Sequence, residues 1–112
     1  MEDFRIETAA GTDDSQVIKL AGPFTLATML DFQTLVCERK ARATLIDLSG
    51  VPYMDSAALG CLLGFHVSCA REERKYAIVG ASPRLHSLFK VAGVDGVLKV
   101  YGSVEAARAA VA

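Results

Sequence analysis

Three places in this chain carry residue types that could do chemistry. His66 and Cys69 stand three apart, a spacing that sets two metal-binding side chains on one side of a helix. No other ligand clusters with them and His66 falls inside an apolar stripe, so the pair reads as packed side chains with a hydrogen-bonded histidine. Asp47 ends the apolar run ATLIDL, as a magnesium-binding carboxylate ends a strand in many NTPases. The phosphate loop GxxxxGK[ST] that would accompany it is absent, as are GxGxxG, HExxH and GxSxG, so nucleotide hydrolysis, dinucleotide binding and hydrolase chemistry carry no signature. His86 reads as a surface residue, and two histidines far apart do not make a nucleophilic triad. The third place is Asp55-Ser56, directly before a helical stripe. Short polar side chains there cap the orphan amides of the first turn. The same free N–H groups and the positive dipole end favour a phosphate, so added charge at this spot would be felt strongly.

Composition narrows the function classes. In 112 residues, 12 basic side chains against 13 acidic leave a formal net charge of −1, so no global basic field draws nucleic acid or an anionic membrane. Hydrophobic residues make up 52% and aromatics only 7%, with no Trp, which predicts an aliphatic core and no stacking platform for single strands. The longest apolar stretch, 57–65, falls well short of the roughly 20 residues of a spanning helix. The start, Met-Glu-Asp, lacks the basic and apolar regions of a signal peptide. Cys37, Cys61 and Cys69 are odd in number and have no CxxC spacing, so they read as buried or semi-buried thiols in a reducing cytoplasm. One domain over 1–112 is expected, with no linker or repeat.

The elements that must position these residues follow from period and punctuation. Residues 4–8 alternate with period two, a turn cluster spans 11–15, and 16–21 form a second strand, predicting an N-terminal hairpin. After Gly22-Pro23 a helix is predicted from Thr25, with Leu26, Met29, Leu30, Gln33, Val36 and Cys37 on one face. The run 43–48 suits a central strand covered on both sides. The next helix carries Leu59, Leu62, Leu63, His66, Val67 and Ala70 as its apolar stripe, so Cys61, Gly64, Phe65 and Ser68 are expected on an outward apolar patch. Gly60 and Gly64 form a GxxxG, which in a helix of this kind signals close backbone packing. Residues 76–79 form another strand, Ser82-Pro83 starts a helix that ends at Gly93, 97–101 form a weaker strand, and Ser103 opens a last helix. The order is β-β-α-β-α-β-α-β-α, an α/β fold with a four- to five-stranded mixed, largely parallel sheet and about four helices.

Residues 43–64, ATLIDLSGVPYMDSAALGCLLG, resemble the core of the STAS domain of bacterial anti-sigma factor antagonists, through Asp47, Asp55-Ser56, Leu59-Gly60 and Leu62-Leu63. Gly22 and the VGASP segment at 79–83 are similar as well. The resemblance implies a non-catalytic chain, with no cofactor or metal, that binds an anti-sigma factor of the serine kinase type and so frees a sigma factor. It implies no direct contact with nucleic acid. In that family the kinase phosphorylates a hydroxyl directly after the first Ser of the motif. Here that position is Ala57, followed by Ala58 where the family has Gly, and Thr25 stands where an Asp often follows Gly22. The resemblance therefore assigns partner binding to Asp55, Ser56, Ala57, Gly60, Cys61, Gly64 and Phe65, supported by Thr25 and Asp47, with the usual switch silent. On this reading Ser56 caps the helix. Other uses of the domain remain open: a structural subunit of a stressosome or lipid-transport complex, or a module binding a small ligand or nucleotide.

Overall fold

The computed structural model describes residues 3–112. Strand β1 (Arg5–Ala10) pairs antiparallel with β2 (Ser15–Ala21), and the turn between them holds Asp13 and Asp14 at φ of 54°, a left-handed conformation that Asp tolerates better than most residues. Helix α1 (Met29–Glu38) carries the chain across to β3 (Ala43–Gly50), parallel to β2, and α2 (Ser56–Arg71) carries it to β4 (Lys75–Val79), parallel to β3. The sheet order is β1-β2-β3-β4, so each crossover adds a strand beside the last. Helix α3 (Pro83–Val91) and helix α4 (Val104–Ala110) follow. The expected mixed sheet with four helices is thus present. The last expected strand contracts to a single parallel bridge, Ile78 with Val100, because Gly96 and Gly102 leave only a short extended segment between turns.

Both faces of the sheet are covered. Ile18, Leu20, Ile46, Leu48 and Ile78 pack in one large cluster with Phe32 and Val36 of α1, Ala58, Leu59, Leu62 and Phe65 of α2, and Leu85 and Phe89 of α3. On the reverse face Leu45, Ala77 and Val79 pack on Ala107 of α4. Burial on both sides explains why β3 reads as a continuous apolar run and not as an alternation. Side-chain caps define three helix starts: Asp55 for α2, Ser82 for α3 with Pro83 at the first position, and Ser103 for α4.

The helix after β2 begins later than its periodicity predicts. Thr28 Oγ1 accepts from the Thr25 N–H at 2.9 Å and donates to the Pro23 carbonyl at 2.8 Å, so residues 25–28 close as a turn and helical pairing starts at Met29. Leu26, assigned by the pattern to a buried face, is consequently 63% exposed, and Leu30, assigned to the same face, is 61% exposed because α1 turns Phe32 and Val36 inward.

Gly80, at the end of β4, has φ of +76°, and a Cβ there would stand 2.8 Å from the Ser49 N and 2.9 Å from Asp47 Oδ1. The left-handed backbone costs an L-residue about 1–2 kcal/mol and the contact with fixed backbone adds to it. Gly80→Ala should therefore lower the midpoint of thermal unfolding by roughly 10 °C, a loss of about 2 kcal/mol read by circular dichroism.

Candidate functional site

The C-terminal ends of β2 and β3 each release the chain into a loop, and the two loops are zipped together. The Phe24 N–H donates to the Tyr53 carbonyl at 3.2 Å, the Asp55 N–H donates to the Phe24 carbonyl at 3.3 Å, and Phe24 forms a parallel bridge with Met54. Asp55 completes the junction. Its Oδ1 accepts from the Ala58 N–H and its Oδ2 from the Leu26 N–H, both at 2.9 Å. The amide of Ala58, then that of Leu26, holds the carboxyl below the usual carboxylate range. One side chain thus caps α2 and pins the loop that precedes α1.

Asp55, and not Ser56, is the cap. Ser56 is the first residue of α2 and is exposed, because Asp55 already occupies the extended-backbone position from which a side chain reaches the first-turn amides. Ala57 follows, half-buried, at the second helical position. Thr25 is half-buried in the turn beside them and acts through its backbone. Asp47 lies within β3, three residues before its end, where Oδ1 accepts from the Ser49 N–H at 2.8 Å and braces the last residues of the strand.

The outward patch expected on α2 is corrected in part. Phe65 is 4% exposed and lies in the core, because α2 turns Ala58, Leu59, Leu62, Phe65 and Cys69 inward. Its ring packs edge-on between Phe32 and Tyr76, with centroids at 5.9 Å and 5.4 Å. Val67, assigned to the buried stripe, is 55% exposed instead. Cys61 is half-buried, and burial pushes its thiol up, as it does for Cys69. Gly60 and Gly64 are exposed, and a Cβ at either would meet nothing within 4 Å, so the GxxxG is not closely packed within this chain. The two glycines, with Cys61 and Ser68, instead floor an open groove of about 260 Å³ whose other wall is Gln33, Val36 and Cys37 of α1 and Lys40 just beyond it.

The resulting surface is one that sequence reasoning missed in part. Exposed Leu26 and Leu30 stand on the α1 side of the junction, and exposed Ser56 and Gly60 stand on α2. Tyr53, 39% exposed, lies under the Arg84 guanidinium at 5.6 Å. Only the Thr25-x-x-Thr28 spacing, which permits a hydroxyl-closed turn, hinted that Leu26 would leave the helix. His66 lies at the far end of α2, with Nδ1 2.7 Å from the Tyr76 hydroxyl, and His86 is exposed on α3. The candidate residues therefore form a capped helix start beside an apolar turn, and the geometry suits recognition of a protein surface.

Comparison with known proteins agrees with this architecture. The hairpin followed by parallel crossovers defines a STAS-type fold: a Thermotoga maritima protein crystallised as a candidate anti-sigma factor antagonist superposes with a TM-score of 0.83 at 19% identity, over 96% of this chain and 93% of that one. The family model described as "Mlab, STAS domain" matches residues 7–101, and the chain belongs to the STAS domain family. The anti-sigma-B factor antagonist of Staphylococcus epidermidis is 25% identical over 96 residues, covering 83% of this chain and 89% of its own. That of Listeria monocytogenes is 34% identical over 55 residues, which span 49% of this chain and about half (48%) of the relative's length.

Asp55→Ala removes both hydrogen bonds and should cost about 2 kcal/mol in urea unfolding at pH 7. Asp55→Asn keeps the cap but loses the acceptor facing Leu26. Because the folded-state carboxyl is depressed, its contribution is fully present above the ordinary 3.8 and is lost as pH falls through the lower folded value. The stability gap between the wild-type protein and Asp55→Asn should accordingly close on acidification below the ordinary carboxylate range, measured by the same unfolding curves.

Proposed function

We propose that this protein is an anti-sigma factor antagonist that acts in the cytoplasm by protein–protein binding, and that the start of α2 with the turn before α1 forms its contact surface. The observation that carries this reading is the pairing of exposed Leu26 and Leu30 with the exposed first turn of α2, with Asp55 tying the Leu26 amide to the Ala58 amide. Apolar side chains held rigidly at a surface lose little entropy on docking, so they contribute to affinity efficiently. Membership of the STAS family and relatives named as anti-sigma-B factor antagonists support the same role. The partner on this reading is an anti-sigma factor of the serine kinase type. Asp47 and Asp55 spend their carboxylates on backbone amides and His66 is engaged by Tyr76, which favours binding over acid–base catalysis.

The surface is proposed to work without the usual covalent switch. Ala57 offers no hydroxyl where the family accepts phosphate, and Ser56 points its short side chain from a position outside the capping role. Incubation with a cognate kinase and ATP should leave the mass of the protein unchanged by mass spectrometry. Addition of one phosphate at Ser56 would overturn the silent-switch reading.

Ala57→Glu tests the surface itself. A carboxylate at the second helical position is tolerated by the helix dipole, so the variant should fold. It places an unpaired charge in the contact, and affinity for the anti-sigma factor should fall at least tenfold by titration calorimetry. Gly60→Ala provides the complementary measurement. With no atom within 4 Å of the new Cβ it should gain about 0.5–1 kcal/mol of stability from reduced backbone entropy, while weakening partner binding if the partner approaches the α2 backbone closely. Equal affinity in both variants would remove this face from the interface.

A second reading has one observation in its favour: the matching family model is described by Mlab and not by an antagonist. A STAS module serving as a fixed subunit of a larger complex predicts stoichiometric co-purification with the same partner under all growth conditions, and a reversible antagonist does not.

A further inference from the structure

The sheet treats its two edges differently. At the β4 edge the segment after α3 lies alongside: the Ile78 N–H donates to the Lys99 carbonyl and the Tyr101 N–H to the Ile78 carbonyl, both at 2.8 Å. The β1 edge has no such cover. Among the described residues β1 pairs only with β2, in an unbroken register from Arg5 opposite Ala21 to Ala10 opposite Gln16. It carries none of the usual devices that blunt an edge: no proline, no bulge and no charged side chain turned inward. Alternate backbone N–H and C=O groups of β1 therefore point outward, where another strand can take them up.

The side chains of β1 sort by face. Ile6 and Thr8 turn towards α1, where with Asp31 and Leu35 they line an open groove of about 390 Å³. Arg5 and Glu7 turn to the other face and are exposed, because α4 covers that face only over β3 and β4, through Ala107 packed with Leu45, Ala77 and Val79. Neither Arg5 nor Glu7 forms an ion pair among the described residues. Two unlike charges two residues apart on one strand are self-complementary, since an antiparallel second copy can set its own Glu7 opposite Arg5 and its own Arg5 opposite Glu7. Strand geometry restricts the register. Side chains alternate between faces, so a two-fold axis perpendicular to a continuous sheet must pass through one residue and its own copy. Within β1, an axis at Arg5 opposes two arginines and an axis at Glu7 opposes two glutamates, both repulsive. Axes at Thr8, Ala9 or Ala10 leave Glu7 opposite no arginine. The axis at Ile6 alone forms two Arg5–Glu7 pairs, and it also sets Ile6 against Ile6 and Phe4 against Thr8.

We propose that β1 is a self-association edge: two copies of this chain pair β1 antiparallel about a two-fold axis at Ile6 and join their four-stranded sheets into one. The two Arg5–Glu7 pairs lie on one face. On the other, the two Ile6 side chains meet beside Leu35 and extend the apolar layer that α1 covers. The contact runs over about five residues of each strand, so the dimer is weak and exchanges with monomer. The pairing is closed, because the outer edges of the joined sheet are the two covered β4 edges. The inference does not rest on the function proposed above.

The test is sedimentation velocity of the full chain from about 10 µM to about 1 mM, which brackets the dissociation constant on the order of 100 µM expected of so small a contact. The sedimentation coefficient should rise with concentration from the monomer's towards the dimer's, and amide hydrogen exchange in β1 should slow over the same range. Arg5→Glu and Glu7→Arg, both at exposed positions, should each weaken the dimer at least about tenfold, because each turns two attractive pairs into two repulsive ones. The double variant Arg5→Glu with Glu7→Arg exchanges the two charges and should restore the association. Position 5 stands opposite Ala21 in its own sheet, so Arg5→Glu carries the test by itself if Glu7→Arg, opposite Lys19, fails to fold by circular dichroism. A monomer at every concentration, a dimer indifferent to Arg5→Glu, or a folded double variant as weak as the single ones would overturn the proposal. Slowed exchange in β1 that appears only on adding the anti-sigma factor would give the edge to another chain and overturn it too.

Discussion

The two hydrogen bonds of the Asp55 carboxylate organise the end of the molecule where the loops after β2 and β3 meet. A parallel sheet built by crossovers sends every strand out at the same edge, so the loops after β2 and β3 emerge side by side with unpaired backbone groups. Such loops need mutual satisfaction to stay ordered. Backbone pairing of Phe24 with Tyr53 and Asp55 meets part of that need, and one carboxylate meets the rest by accepting from Ala58 on α2 and from Leu26 before α1. Remove that carboxylate and only the backbone pairing of Phe24 with Tyr53 and Asp55 still joins the start of α2 to the apolar turn, so each is held less firmly relative to the other. A docking surface made from both would then pay for its ordering at the moment of binding.

The same constraint explains which neighbours are free. Since Asp55 does the capping, Ser56 and Ala57 carry no structural duty at the first turn, and substitutions there affect what the surface meets more than how the chain folds. A side chain other than Ala at position 57 would therefore need no structural compensation from the cap. Thr25 shows the converse. Its backbone is held by Thr28 Oγ1, so a residue of a different family type at this position does not disturb the turn that exposes Leu26.

Much of the fold was legible because it is written in local signals. The continuous apolar run of β3 reported burial on both faces, and Ser82-Pro83, Ser103 and Asp55 marked helix starts that the structure retains. The site was less legible, for three physical reasons. Leu26 fits a helical stripe, yet a hydroxyl-closed turn outcompetes the helix at residues 25–28, and Leu30 is exposed because α1 turns Phe32 and Val36 inward. Periodicity along α2 offered two apolar faces, and only the presence of Phe24, Phe32 and Tyr76 around Phe65 decides which one turns inward. The GxxxG looked like a packing motif, but α1 leaves a groove above it, a distance that no local pattern encodes.

Helix α2 also explains why a nearly neutral chain has two unlike ends. Its free amides and positive dipole end are met by the Asp55 carboxylate, and its free carbonyls and negative end lie near Arg71 and Arg74. Complementing the dipole accounts for basic residues at the helix end, but it does not account for Lys99, which arrives from another segment, nor for an Arg74 nitrogen enclosed without an acceptor. If dipole complementation were the only reason for these charges, exposed side chains would serve equally well and at less desolvation cost. Enclosure of the Arg74 side chain to 9% exposure between the Phe65 ring and Glu72 is what turns a helix-end charge into a fixed, directional donor. The junction end thus uses its carboxylate on its own backbone and leaves an apolar, neutral face outward, while the opposite end pairs Arg74 and Lys40 with Glu72 and seats Lys75 on an oxygen of Ala112.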